Sequence, residues 1–285
     1  MIVVGAVNTS SLDQESGSDV GIVNMLIDQR QEQLHSLVQG IEIGGSKIET
    51  KVLVGREFIE IIREVLSQKR DLVIKSIENS NTITRRLFVG TDMKLLRKCP
   101  CPIWLIKSTQ QQGYREILAG LDYEPENYEN EALNQQILEM ATSLALADFS
   151  ELHVVHAWHL PHESYLRGPR TSYTDAQVDA MIREEGNKRR RWLSDVVKTA
   201  CVAQGKETLN YLKPQIHMLL GNAKEVIPKL TKELGAELVV MGTVARTGIP
   251  GLIMGNTAES ILHQLDCSVL AVKPEGFVSP ITVDI

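Results

Sequence analysis

The chain has 285 residues, about two domains of average size, with 43% hydrophobic and 23% charged residues. This ordinary globular composition excludes a disordered chain, a collagen and a disulfide-stapled miniprotein, and no apolar run is long enough to predict a membrane span. The 36 acidic residues outnumber the 30 basic ones, which disfavours binding to nucleic acids or acidic membranes, because phosphate groups attract basic surfaces.

In chain order, short apolar runs predict four strands before the polar linker at 108–113. These strands are residues 1–7, 51–55, 71–75 and 101–107. The run that ends at Gly55 is followed by an amphipathic pattern, which predicts a helix.

The rest of the chain repeats this pattern at a constant offset of 166 residues. The pairs that keep this register are Gly55 and Gly221, Asp71 and Glu237, Cys101 and Cys267, and Lys107 and Lys273. Chance does not hold so long a register, so we interpret the chain as a tandem of two related domains. We place the domains at 1–112 and 113–275, with a tail at 276–285.

The second repeat alternates strands with helices. The predicted strands are 117–122, 152–158, 216–220, 238–242 and 268–272, and the predicted helices are 130–147, 174–203, 223–234 and 257–265. These strands are rich in Val, Leu and Ile without polar alternation, which is typical of a parallel sheet buried on both faces. The fold class we predict is α/β, with two doubly wound, Rossmann-like domains built on five-stranded parallel sheets.

The first repeat is incomplete at its amino-terminal end. By the repeat register, residues 1–7 correspond to the second strand of the other domain, so the first domain lacks a first strand and helix. Because that strand is central in such a sheet, we expect the native chain to begin upstream of Met1.

The stretch 239–259 is the most informative for chemistry. A buried strand ends near Met241, a loop with four glycines follows, and a helix begins at Asn256 or Thr257, with Asn256 and Glu259 at capping-box spacing. Glycines let backbone N–H groups approach a phosphate, and the start of a helix adds unpaired donors. The same glycines also suit a tight loop without a ligand, and both interpretations stay open here.

This loop, the order of strands and helices, and the doubling resemble the universal stress protein family, specifically its tandem E-type members. The resemblance covers essentially the whole chain. The nucleotide-binding branch of the family has a G-x2-G-x9-G-[ST] loop, to which Gly242 and Gly255 conform. Ala245 replaces the second glycine and Asn256 replaces the Ser or Thr.

The resemblance implies that the second domain binds ATP or a related adenine nucleotide, with or without Mg²⁺, rather than turning it over rapidly. It implies Asp122 as the ribose contact and Ala157 and Met241 as base contacts. The implied phosphate contacts are Gly242, Ala245, Gly255, Asn256 and Thr257. The first domain is a poorer candidate, because Ser76, Asn79 and Val89 stand at its three loop-glycine positions.

The family resemblance also implies an internal pseudo-dimer, in which the last strands of the two domains meet at 102–107 and 268–273. A further homodimer is compatible with it. We predict no nucleic-acid partner and no membrane span.

Four histidines recur every third residue at His153, His156, His159 and His162. The first two lie in one strand, where odd spacing places them on opposite faces, and no Cys or carboxylate cluster completes a zinc shell. We therefore predict no metal site, and expect these histidines to line the cleft at the carboxyl end of the strand. The basic run 188–191 follows two glutamates at helical spacing and is interpreted as a solvated, salt-bridged face.

The repeat-equivalent Cys101 and Cys267 are interpreted as packed residues, and no nucleophile with a base is recognisable, so no catalytic residue is predicted. Four cysteines without a pairing framework, and no recognisable leader, favour the cytoplasm. The function we predict is a stress-response protein that binds an adenine nucleotide, at most a slow ATPase. The alternatives are a binder of a non-nucleotide, apolar or lipid-like ligand, and a protein-interaction scaffold whose nucleotide site has degenerated.

Overall fold

The structure is a computed structural model that describes residues 2–7, 17–41, 48–77, 88, 90–107, 113–244 and 254–283. Its contacts divide the chain into two compact units. Unit 1 comprises residues 1–71, 90–100 and 279–285, and unit 2 comprises residues 72–89 and 101–278.

Unit 1 contains a two-stranded parallel sheet and three helices. Its strands are β1 (Ile2–Val7) and β2 (Glu49–Val54), and its helices are α1 (Gly17–Val38), α2 (Glu57–Gln68) and α3 (Thr91–Lys98). Helix α1 contacts both strands, and α2 contacts α3. Lys69 caps the end of α2, and its left-handed backbone lets the N–H of Arg70 donate to the carbonyl oxygen of Val65 at 3.1 Å.

Unit 2 is built on a seven-stranded sheet. Its strands are β3 (Val73–Ser76), β4 (Ile103–Ile106), β5 (Glu116–Gly120), β6 (Glu151–Trp158), β7 (Gln215–Leu220), β8 (Leu238–Gly242) and β9 (Ser268–Val272). Their order across the sheet is β3-β4-β9-β8-β5-β6-β7. All neighbours are parallel except β4 and β9, which are antiparallel.

Helices cover both faces of this sheet. They are α4 (Tyr128–Asp148), α5 (Glu163–Leu166), α6 (Asp175–Gln204), α7 (Thr208–Leu212), α8 (Ala223–Leu234) and α9 (Asn256–Leu262). Helices α4 and α6 pack together over one face, where Ile117, Val154 and Val240 join their core. The intervening strand residues, such as Leu118 and Val155, are equally buried on the other face, where α8 contacts β5 and β6 and also packs against α9.

The prediction of a doubly wound parallel sheet is confirmed for the second repeat. Strands β7-β6-β5-β8-β9 form a five-stranded parallel array in which the chain starts in the middle and winds outward in both directions. The predicted meeting of the two last strands is also confirmed, since Trp104 of β4 lies opposite Leu270 of β9 in antiparallel register.

The first repeat contributes its strands to two separate sheets. In the second repeat, β5 lies between β6 and β8 and pairs with both. The described part of residues 2–107 holds no strand equivalent to β5, and the equivalents of β6 and β8, namely β1 and β3, belong to different sheets. The domain limits 1–112 and 113–275 remain a prediction.

Among the described residues, every helix is too short or too polar to cross a membrane.

Candidate functional site

The structure gathers several predicted site residues at the carboxyl ends of three adjacent strands. Asp122 follows β5, Ala157 lies near the end of β6, and Met241 and Gly242 end β8. Strand β5 pairs with both β6 and β8, so these residues share one edge of the sheet. Strands β5 and β8 connect to helices on opposite faces, which creates the crevice where open α/β sheets bind ligands.

The backbone of Asp122 is held by a buried amide. The side chain of Asn134 on α4 accepts a hydrogen bond from Asp122 N at 3.1 Å and donates one to Asp122 O at 2.6 Å. Its amide nitrogen also donates to Oδ1 of Asn130 at 3.0 Å. Because Asn134 is only 4% exposed, this clamp orients Asp122 before any ligand binds.

A second polar network fixes the same strand end from α6. His156 Nδ1 lies 3.1 Å from the carbonyl oxygen of Leu121, and Nη1 of Arg189 lies 3.0 Å from His156 Nε2. A guanidinium group only donates and a carbonyl only accepts, so His156 carries its proton on Nδ1 and is neutral. Glu185 binds the Nε atom of Arg189 at 2.7 Å.

This network corrects the interpretation of the basic run 188–191 as a solvated face at Arg189 alone. The other three basic residues are exposed, and the ion pair between Arg189 and Glu185 agrees with the prediction. The Arg189 side chain is only 16% exposed and lies among rings, with its guanidinium carbon 4.9 Å from the centre of Tyr123 and 5.4 Å from that of Trp158. Such cation–π contacts stabilise a partly desolvated guanidinium. Arg189 therefore attaches α6 to the end of β6.

A side chain at the position of Gly242 would crowd α4. A Cβ atom at this position would lie 2.8 Å from Cδ2 of Leu133 and 3.6 Å from Cδ1 of Ile137, both on α4. The glycine thus lets α4 approach the end of β8, a role that needs no bound phosphate.

Thr243, at the start of the glycine loop, is hydrogen-bonded to the residue at the end of the loop and to a lysine that follows β9. Its carbonyl oxygen accepts a hydrogen bond from Gly255 N at 3.0 Å, and its hydroxyl accepts one from Nζ of Lys273 at 2.8 Å. Lys273 follows β9, is 4% exposed, and places its ammonium 4.8 Å from the ring centre of Phe277. A buried lysine therefore lies beside the base of the loop.

The start of α9 differs from the predicted capping box. Gly255 is the N-cap and accepts Glu259 N through its backbone carbonyl, and no side chain caps the helix. Asn256 and Thr257 are exposed in the first turn. Ala245 lies outside the described residues.

The histidines are only partly where they were expected. His153 and His156 lie on opposite faces of β6, as predicted. His156 contacts the carboxyl end of β5, but His153 lies near the amino-terminal edge, beside Glu116 and His217, so its predicted place in the cleft is wrong. His159 is exposed.

All four cysteines are buried, and none of them forms a disulfide. Burial raises the pKa of Cys267 to about 12, which leaves almost no thiolate at neutral pH. This agrees with the interpretation of Cys267 as a packed residue.

The comparisons with known proteins agree with this architecture. The model of the universal stress protein family matches residues 1–107 and 113–273. Universal stress protein E of Escherichia coli strain K12 is 29% identical over 262 residues, which cover 91% of this chain and 78% of that protein. Universal stress protein E of Photorhabdus laumondii is 28% identical over 281 residues, covering 96% of this chain and 83% of that protein.

A crystal structure from Pseudomonas aeruginosa UCBPP-PA14, assigned to the universal stress proteins, is 26% identical and covers 97% of this chain and 93% of its own, with a TM-score of 0.65. The two matched regions coincide with the two halves of the repeat. The chain therefore belongs to the universal stress protein family and carries that family's domain twice in tandem.

Proposed function

We propose that the chain is a stress-response protein that binds ATP or a related adenine nucleotide in its second repeat and does not turn it over rapidly. The observation that carries this proposal is the position of Asp122 and Gly242. Asp122 follows β5 and Gly242 ends the adjacent parallel strand β8, at the point where the winding reverses. Ligands of open α/β sheets bind at such points.

The local chemistry supports a nucleotide there. The carboxylate of Asp122 can accept hydrogen bonds from ribose hydroxyl groups, and the Asn134 clamp fixes its backbone in advance. In this proposal Ala157 and Met241 contact the base, and Gly242, Ala245, Gly255, Asn256 and Thr257 surround the phosphates, with Mg²⁺ entering with the nucleotide.

Two solved universal stress proteins, of which one is described in complex with cAMP and one with dAMP, match 57% of the chain at 18% identity. Their TM-scores are about 0.35, too low for either structure to support the proposal. The four buried cysteines form no disulfide, which suits the cytoplasmic location that we also propose. A further homodimer is part of the same proposal.

A scaffold without nucleotide is the second candidate, favoured by the packing of Gly242. Contact with Leu133 already explains this glycine, and the hydrogen bond between Thr243 and Gly255 closes the base of the loop on itself. A loop of this kind can persist after a nucleotide site has been lost.

Native mass spectrometry of the freshly purified chain, followed by calorimetric titration with Mg-ATP, separates the two candidates. We expect one nucleotide per chain, with Asp122→Ala weakening binding about tenfold, because one charge-assisted hydrogen bond is lost. Asp195→Ala, at an exposed aspartate on α6, should bind like the wild type.

A chain that neither carries nor binds nucleotide would overturn the proposal in favour of the scaffold. A different co-purifying mass would favour another ligand, and unchanged binding in Asp122→Ala would overturn the assigned site.

A further inference from the structure

A second polar cluster lies at the opposite, amino-terminal edge of the seven-stranded sheet. Glu116 is the first residue of β5 and Glu151 the first of β6, and the two are direct partners in the parallel register. His153 lies two residues after Glu151 and therefore on the same face of the sheet. All three side chains are held by strands rather than by loops.

Three atoms that can bind a metal converge in this cluster. One ligand atom each from Glu116, Glu151 and His153 lies within 4.8 Å of the other two. His153 Nε2 is 2.7 Å from Oε2 of Glu116. The imidazole is 2% exposed, whereas Glu151 is exposed, so the cluster has a buried floor and an open side.

Two of the three residues also have partners that would orient them as ligands. Gln215, the first residue of β7, donates from Nε2 to Oε2 of Glu151 at 2.9 Å. His217, two residues further along β7, places Nε2 3.0 Å from His153 Nδ1. Metal-binding histidines commonly donate their second N–H to such an outer partner, which fixes the tautomer and the ring orientation.

The geometry of His217 suits this role. The Nε2 atom of a neutral His217 can accept the Nδ1 proton of His153, so that the Nε2 lone pair of His153 becomes available to a metal once the proton between Nε2 and Glu116 is released. Two adjacent carboxylates on paired strands repel each other, and a cation between them removes that repulsion.

We propose that Glu116, Glu151 and His153 bind one divalent transition-metal ion of the Zn²⁺ type, with Gln215 and His217 as orienting partners. One imidazole nitrogen and two carboxylate oxygens suit zinc better than Mg²⁺ or Ca²⁺, which prefer oxygen ligands throughout. On binding, the metal replaces the proton that His153 Nε2 shares with Glu116, and that proton is released to solvent. The site lies at the opposite end of the strands from Asp122 and does not depend on nucleotide binding.

The test uses the full chain, stripped of metal with EDTA, dialysed, and titrated calorimetrically with zinc chloride at neutral pH. We expect one Zn²⁺ per chain, released at acidic pH because protons compete with the metal for its ligands. Glu151→Gln should weaken binding at least tenfold, and its exposed position makes misfolding easy to exclude by circular dichroism.

His217 supplies a matched pair of variants. His217→Leu removes the acceptor for His153 and should weaken zinc about tenfold or more, whereas His217→Gln keeps a carbonyl acceptor and should restore binding. His159→Gln, at an exposed histidine of the same sequence motif, should bind zinc like the wild type.

Several results would overturn the proposal. They are no zinc bound by the wild type, wild-type affinity in Glu151→Gln, and an equal loss in His159→Gln. If His217→Leu and His217→Gln behave alike, His217 has no orienting role and that part of the assignment is wrong.

Discussion

Both repeats contain a strand followed by a turn and a helix, which are β2 and α2 in the first repeat and β7 and α8 in the second. Three positions of this unit hold charged residues in the first repeat and different residues in the second. The pairs are Lys51 and His217, Glu64 and Leu230, and Arg70 and Ala236. In unit 1, Glu64 binds Nζ of Lys51 at 2.6 Å and Nη2 of Arg70 at 2.7 Å, although Glu64 is only 6% exposed. In unit 2 the equivalents of Glu64 and Arg70 are buried apolar residues.

The turns that frame these positions are nevertheless alike. Gly55 and Gly221 precede α2 and α8 with φ of 138° and 144°, and Lys69 and Gly235 follow them with φ of 51° and 65°. Both helices have 12 residues. Backbone geometry therefore defines the repeated unit, while its interior can be filled by an ion network or by apolar side chains. The predictions below test how far that equivalence extends.

The largest difference between equivalent positions is expected in the stability lost when valine replaces Gly242 or its equivalent, Ser76. In Gly242→Val the new side chain meets Leu133 of α4 with Cβ placed 2.8 Å from Cδ2, so we expect a loss of about 3 kcal/mol in the free energy of unfolding. Ser76 is exposed, and Ser76→Val should change stability by less than about 0.5 kcal/mol. Urea titration followed by circular dichroism measures both, and equal losses would show that the packing argument is wrong.

The ion network of unit 1 should make its stability depend on pH. Burial alone would raise the pKa of Glu64, but hydrogen bonds and the charges of Lys51 and Arg70 outweigh it and lower the pKa below the ordinary value of 4.5. A carboxyl whose pKa is lowered by folding stabilises the fold above its unfolded pKa, and this contribution is lost as the pH falls through the folded value.

Glu64→Gln should therefore destabilise unit 1 by about 2 kcal/mol at pH 7, and by progressively less as the pH falls below 4.5. Amide hydrogen exchange in α2 reports on unit 1 separately and is the measurement of choice. Glu60→Gln, which breaks only the more exposed pair with Arg63, should change exchange little. A pH-independent loss in Glu64→Gln would contradict the electrostatic explanation.

Much of the second repeat could be predicted because its strands are buried on both faces and read as continuous apolar runs. Helix α1 was not predicted, since Ile22 and Met25 are exposed while Leu34 is buried, so its apolar residues do not mark one face. The short helices α5 and α7 were also missed, because single turns leave no periodicity to detect.

The candidate site was predicted where it depends on strand ends and missed where it depends on pairing across the fold. Asp122 and Gly242 follow apolar runs, so their common edge follows from topology. Arg189 lies in a basic run that looks solvated, and its contact with His156 requires knowing which face of α6 meets β6. The neighbourhood of Glu116 and Glu151 likewise depends on a strand register that local patterns do not specify.

The smallest difference is expected in the stability lost when alanine replaces the turn glycines Gly55 and Gly221. Alanine at either position is strained, because φ near 140° is a conformation that L-residues rarely adopt, which costs about 1–2 kcal/mol. A Cβ at Gly221 would also lie 2.9 Å from Cγ1 of Val226, whereas one at Gly55 would meet the flexible Cγ of Glu60 at 3.0 Å. We therefore expect Gly221→Ala to cost about 1 kcal/mol more than Gly55→Ala, because the branched Val226 cannot turn away as Glu60 can.

Amide exchange in α8 and α2 measures the two losses side by side. Gly21→Ala is the control for the substitution itself. It lies within α1 in open space, so it should raise stability by about 0.5–1 kcal/mol. If Gly55→Ala costs as much stability as Gly221→Ala, then the difference between Glu60 and Val226 does not affect the cost of alanine in the turn. The two turns would then be equivalent in energy as well as in backbone geometry.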